Sequence, residues 1–295
     1  MNLDALNTNA GWLDALEAVG AVDPAALTEA RLEAHWAAQV LAAVGFAFVP
    51  AVEDFSHTAL RFDPEAGRLR TAALPGTTLR AALDFRTLSL SLDDGEAGLE
   101  RLDLIGNSLD QAMAWMQRTV EKRTDLQPCD GPMDRPKHDL PAHGVADGAP
   151  FEGGSPAARQ ELAAWFSVGQ AVTAVVAGRP DASDPLCWPH HFDVATLITL
   201  SGSGEDAGSV GVGLSPGDGS YECPYLYINP WPRPEGQTLA PLDGGGRWHT
   251  EGWTGAVLTA EWLAAIKGGK ARAEAVEAFV TSAIPAAQAL AQDAR

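Results

Sequence analysis

The sequence predicts an α+β fold, mainly antiparallel sheet covered by helices, and three observations carry that expectation. Apolar residues recur at helical spacing in separated stretches. Short β-rich runs lie between them. The order helix, connector, strands, closing helix occurs twice.

The elements follow in chain order. Residues 12–19 and 24–30 read as helical pieces, with Asp23 as N-cap and Pro24 at the first helical position, where a missing N–H costs nothing. The spacing of Leu32, Trp36, Val40 and Leu41 restarts or continues that helix. Residues 55–62, including His57, read as a strand. Further strands are expected at 69–73, 79–85 and 88–92, the last turning at Asp93-Asp94-Gly95. Residues 107–122 form an amphipathic helix capped by Asn107 or Ser108, with Leu109, Ala112, Met113, Met116 and Val120 as its stripe.

From 126 to 156 the composition turns to Pro, Gly, Asp and His. This is expected as a connector between an N-terminal α+β lobe, residues 1–125, and a C-terminal one, residues 157–295; such segments are linkers or functional covers. The second lobe opens with a helix over 157–176 and has strands at 194–200, 210–214 and 220–229. Pro230 ends the last of these, because proline cannot donate to a ladder. A further strand falls within 247–258, and helices at 259–266 and 271–291 finish the chain, with Pro285 placed to kink or interrupt the second. The shared order, and the loose similarity of residues 54–60 to 191–197, reads as two related lobes from an internal duplication.

With 295 residues, 46% hydrophobic and 20% charged, the chain can bury a substantial core. A net charge of −19 argues against nucleic acid, which needs a basic footprint, and against docking on anionic membrane. Residues 40–52, the most apolar run, are too short to span a bilayer and are interrupted by Gly45 and Pro50. Met1-Asn2-Leu3-Asp4 has neither the basic region nor the apolar run of a secretory signal. Cys129, Cys187 and Cys223 form no CxxC pair, so neither a disulfide framework nor a zinc knuckle is indicated. A cytoplasmic protein is expected.

Trp188-Pro189-His190-His191-Phe192-Asp193 concentrates the most titratable chemistry. On a regular strand His190 and His191 would face opposite ways, and His191 would share a face with Asp193, a carboxylate able to fix its tautomer and raise its basicity. Tyr221, Cys223, Tyr225 and Tyr227 would share one strand face, and with Trp231 suit the wall of a small-molecule pocket; Glu222 lies on the other face. Arg247-Trp248-His249-Thr250-Glu251-Gly252-Trp253 aligns His249 with Glu251. Together with His191 and Asp193, or with Glu222, these could form an acid–base pair or a His/carboxylate metal site. No metal-binding spacing is present, so no cofactor is assigned, and a divalent metal has no specific motif behind it. Gly213-Leu214-Ser215-Pro216-Gly217 matches G-x-S-x-G, but a nucleophile elbow needs a helix where Asp218-Gly219 and the tyrosine strand follow.

Trp188 to Asp193, and Pro224-Tyr225-Leu226-Tyr227-Ile228-Asn229-Pro230-Trp231-Pro232, resemble an uncharacterised bacterial family. Its members carry an H-x-F-D segment followed by P-Y-x-Y-x-x-P-x-P. Asp84-Phe85 before Leu88-Ser89-Leu90, and a closing helix with Trp115, extend the likeness, which departs after Pro234. The resemblance implies a two-lobed α+β protein and no activity.

The function expected is a small-molecule pocket around His190, His191, Asp193, Tyr225, Tyr227, His249 and Glu251, with hydrolytic or metal-assisted chemistry. The competing expectation is a non-catalytic protein whose aromatic and proline segment docks a partner. Nothing in the sequence decides between enzyme and binding protein.

Overall fold

A computed structural model describes residues 10–94, 100–129, 131–201 and 208–294. The fold is α+β with antiparallel sheets, as expected. The chain divides into two compact units, each discontinuous in sequence. One, the histidine unit, comprises residues 22–163 and 186–192; the other, the tyrosine unit, comprises residues 1–21, 164–185 and 193–295. Residues 126–156, expected as a connector, fall inside the histidine unit.

The histidine unit begins with α2 (Pro24–Phe48), preceded in the chain by α1 (Ala10–Ala18). Asp23 caps α2, its carboxylate accepting from Ala25 N, with Pro24 at the first turn. The helix is continuous. Gly45 does not interrupt it but makes room for a neighbour: a Cβ there would stand 2.7 Å from His57 O and 2.9 Å from Thr58 Cα. The close neighbour is a 3₁₀ turn, Ser56–Thr58. His57 therefore sits on that turn rather than on a strand, and β1 covers only Arg61–Asp63. A meander follows in the order β1-β2-β3-β4-β5, with β2 Arg68–Arg70, β3 Arg80–Asp84, β4 Ser89–Asp93 and β5 Glu100–Asp103. β5 was not expected from the sequence. Gly95, part of the expected turn after β4, lies outside the described residues. α3 (Leu109–Arg123) closes the meander, its start set by a reciprocal capping box between Ser108 and Gln111. All five expected stripe residues are buried, and the helix packs on α2 and β4.

Segment 126–156 has little regular structure but is tied down along its length. Cys129 N donates to Ala47 O, Met133 N to Gln117 Oε1, and Trp36 Nε1 to Pro141 O at 3.1 Å. The buried Glu33 carboxylate accepts from Glu152 N and Gly153 N. Irregular backbone whose polar groups find such partners is held in place without a helix or sheet of its own. β6 (Leu186–Trp188) completes this unit, with a bridge between Cys187 and Leu60.

α4 (Pro156–Ala177) runs from the histidine unit into the tyrosine unit. In the latter, β7 (Asp193–Ser201), β8 (Gly208–Ser215), β9 (Tyr225–Trp231), β10 (Arg247–His249) and β11 (Gly255–Thr259) lie in the order β10-β11-β9-β8-β7. Residues 247–258 thus hold two strands, paired antiparallel, where one was expected. β9 starts five residues later than predicted and runs through Pro230, which pairs with Val210 of β8. Proline is tolerated there because the pairing with β11 ends at Ile228, leaving that side of the strand without a ladder to feed. α5 (Ala260–Ala265) and α6 (Gly269–Asp293) follow; α6 covers β8, β9 and β11, α1 packs on α6, and Pro285 does not end it. Buried Arg272 of α6 donates to the carbonyls of Leu16, Val19, Leu263 and Ile266, satisfying acceptors at the C-terminal ends of α1 and α5. Among the described residues, no helix is long and apolar enough to cross a membrane.

Candidate functional site

In the histidine unit the site grows from a turn. Trp188 O accepts from His191 N at 3.1 Å and from Phe192 N at 2.6 Å, and Phe192 has a φ of 60°. Pro189 supplies the fixed φ that such a turn favours. His190 and His191 therefore lie on a turn, where strand alternation does not apply, and their ring centroids are 4.3 Å apart. The ladder begins only at Asp193.

The same turn presents Pro189 O to α2. His35 Nε2 lies 2.9 Å from that carbonyl and Gln39 Nε2 donates to it at 2.8 Å. His35 and Gln39 are one helical turn apart, so they share a face. Gln39 Nε2 also donates to His35 O at 3.2 Å, and a carbonyl only accepts. Two acceptors fix the amide nitrogen, which leaves Gln39 Oε1 facing His138 Nδ1 at 3.0 Å. His138 must then carry its proton on Nδ1, and in the neutral ring Nε2 holds the lone pair. By the same logic His35 is protonated on Nε2. Gln39 is fully buried and so cannot trade these partners for water.

Rings converge around this axis. His138 and His190 have centroids 5.5 Å apart, Trp188 is 6.0 Å from His190, and His35 stacks on Phe192 at 4.8 Å. Phe46 meets both His57, at 5.6 Å, and His138, at 6.3 Å. Charge is suppressed here. Burial pushes His35 down to about 4 against the opposing pull of the Pro189 carbonyl, with Arg31, His138 and His191 adding to the depression. His190 is lowered to about 4 by partial burial, then by His191 and His138. His138 is lowered by burial and by His191. Three imidazoles are thus held neutral near neutrality. His138 also lines an open cleft of about 490 Å³ with Asp134, Arg135, Pro136, Lys137 and Asp139.

The other expected residues belong to the tyrosine unit. Tyr227 lies opposite Gly213, where a Cβ would come within 2.5 Å of the phenol oxygen, so its ring can cross β8 and donate to Asp193 Oδ2. Tyr225 donates to Asp218 Oδ2, while Asp218 Oδ1 accepts from Ser220 N and Tyr221 N. Burial, then Asp218, raises the Tyr225 phenol well above its ordinary range, so it stays a donor. Tyr221 is on a loop, not on β9, yet its ring still meets Tyr225 at 4.8 Å. His249 Nε2 is 2.6 Å from the main-chain carbonyl of Glu251, so its proton is there, and Nδ1 accepts from the Tyr221 phenol at 3.0 Å. The carboxylate of Glu251 is exposed, as is Glu222. Trp253 lies tilted against His249 with ring centroids 4.4 Å apart, and Trp231 at the end of β9 is 55% exposed. Ser215, in the discounted G-x-S-x-G match, ends β8 and is followed by a bend, not a helix.

His35, Gln39, His138 and Asp218 were not nominated as site residues from the sequence. Gln39 and His35 carried one signal: polar residues four apart, sharing a helix face with long apolar neighbours, must find buried partners. Among the described residues, no group of three or more His, Cys, Asp or Glu side chains is arranged to hold a metal ion. The chain matches no family model, no curated protein and no solved structure.

Proposed function

We propose that this chain binds a small molecule in the cleft beside His138 and uses that ring as a proton acceptor, the chemistry of a general-base hydrolase. The observation that carries the reading is the Gln39 amide. It is oriented by two carbonyls and in turn fixes His138 as the Nδ1–H tautomer. A neutral orienting group sets the geometry without raising the ring's basicity, so Nε2 stays in its accepting form at neutral pH. The tyrosine cluster serves better as a structural lock, because its phenols and Asp218 spend their hydrogen bonds on one another and on the local backbone.

Hydrolysis of p-nitrophenyl acetate, followed by p-nitrophenolate release, tests this. His138→Gln should lower the rate at least about a hundredfold, the low end for losing a general base, while His143→Gln leaves it unchanged. The parent rate should already be at its plateau at neutral pH, because His138 titrates below its ordinary value. A His138→Gln rate equal to the parent's overturns the reading.

The competing reading, docking of a partner on the aromatic and proline segment, has its own support. Trp231 and Leu197, 55% and 45% exposed, lie on the same face of the sheet. Tyr225 does not belong to that surface, being only 4% exposed.

A further inference from the structure

The cleft wall has a chemical character of its own. Arg135, Lys137 and His138 follow one another at alternate and adjacent positions of segment 134–139, in a chain of net charge −19. The Arg135 guanidinium sits 5.0 Å from the Trp36 ring centre, a cation–π seat that holds it in place. Trp36 is itself anchored by its bond to Pro141 O. The His190 ring lies 5.5 Å from that of His138 and 4.3 Å from that of His191, and His190, on gaining a proton, becomes a donor on both nitrogens.

We propose that this cleft is a site for a small oxyanion, a carboxylate or phosphate, seated between Arg135 and Lys137 and beside His138, and that its binding takes up a proton onto the neighbouring His190 while the His138 lone pair stays free. The inference rests on the reading of His138 as a functional ring and names the ligand class of that same site. The groups facing the rings make the coupling. From α2 come His35 and Arg31, from segment 134–139 come Asp134, Arg135, Lys137 and Asp139, and from the 188–192 turn come His190 and His191. Uncharged, the three depressed histidines tolerate one another and the cations. An anion reverses the balance at His190, favouring its protonated form, whose charge then attracts the ligand. Asp134 and Asp139 flank the cleft and set a selection: a ligand must carry enough negative charge to hold the cations against them. Asp134 already accepts from Arg135 N at 2.7 Å.

Calorimetric titration of the full chain with inorganic phosphate, and separately with acetate, tests the proposal at about pH 6 and about pH 8, in buffers of differing ionisation enthalpy. Binding should be about tenfold tighter at the lower pH, with net proton uptake. Arg135→Ala with Lys137→Ala should abolish it, and since both side chains are exposed the fold should survive, checked by the thermal midpoint. Binding of one probe and not the other identifies the anion class. Absence of binding by both, or binding indifferent to pH or to the double substitution, overturns the proposal. If neither anion binds while His138→Gln still slows hydrolysis of the uncharged ester, the anion inference falls and the proton-acceptor reading stands.

Discussion

The two units solve one problem, the placing of titratable groups beside a sheet, in opposite ways. In the histidine unit the rings of His35, His138 and His190 are kept neutral, and the uncharged Pro189 carbonyl and Gln39 amide orient the first two. In the tyrosine unit Asp193 and Asp218 are each held by a phenol, and Tyr225 is pushed toward its protonated form. The difference lies in what is left over. A carboxylate whose lone pairs are taken by its own chain locks a fold, whereas an oriented neutral imidazole beside an open cleft retains a lone pair for chemistry.

This contrast can be broken most forcefully with pH. His35 has its folded value lowered from 6.5 to about 4. The unfolded chain then binds more protons once pH falls below 6.5, so stability is full above that point and is lost between about 6.5 and 4. From His35 alone the loss is about 3 kcal/mol. Tyr225 has the opposite sign: its folded value is raised, so stability is full below the ordinary phenol range and falls as pH rises through it. Urea unfolding monitored by hydrogen exchange in each unit should show the histidine unit opening first in acid and the tyrosine unit first in alkali. The same order at both extremes would erase the distinction.

Single substitutions sharpen it. Gln39→Leu removes a donor from Pro189 O and the acceptor from His138, and should cost about 2 kcal/mol. It should also slow ester hydrolysis, because His138 loses its fixed tautomer. Tyr227→Phe removes a donor from Asp193 and should cost about 1.5 kcal/mol, read from the shift in urea midpoint, with hydrolysis unchanged. Equal effects of the two substitutions on hydrolysis would merge the two regions into one functional class.

The sequence carries most of the architecture where chemistry is local. Asp23-Pro24 and the Asn107-Ser108 pair announce their helices because caps act within four residues. Elsewhere the governing neighbour is distant. Pro230 ends a strand on paper but persists in β9, since the ladder it would break has already stopped at Ile228. Gly45 looks like a break in a helix and is instead a contact surface for residues 57 and 58. The site was legible only as a segment. His190 and His191 stand out by adjacency, but the residue that orients the chemistry, Gln39, lies 150 positions from its partner Pro189 and 99 from His138. No periodicity connects positions so far apart.

The central claim is that His138 is a neutral ring with its proton on Nδ1 and a lone pair on Nε2. Nitrogen-15 NMR of the histidine side chains across a pH titration reads both properties directly. His35, His138 and His190 should all titrate below 6.5, and neutral His138 should show the Nδ1–H pattern, converted to a mixed one in Gln39→Leu. A His138 that titrates at or above 6.5, or that carries its proton on Nε2 in the parent chain, would contradict it.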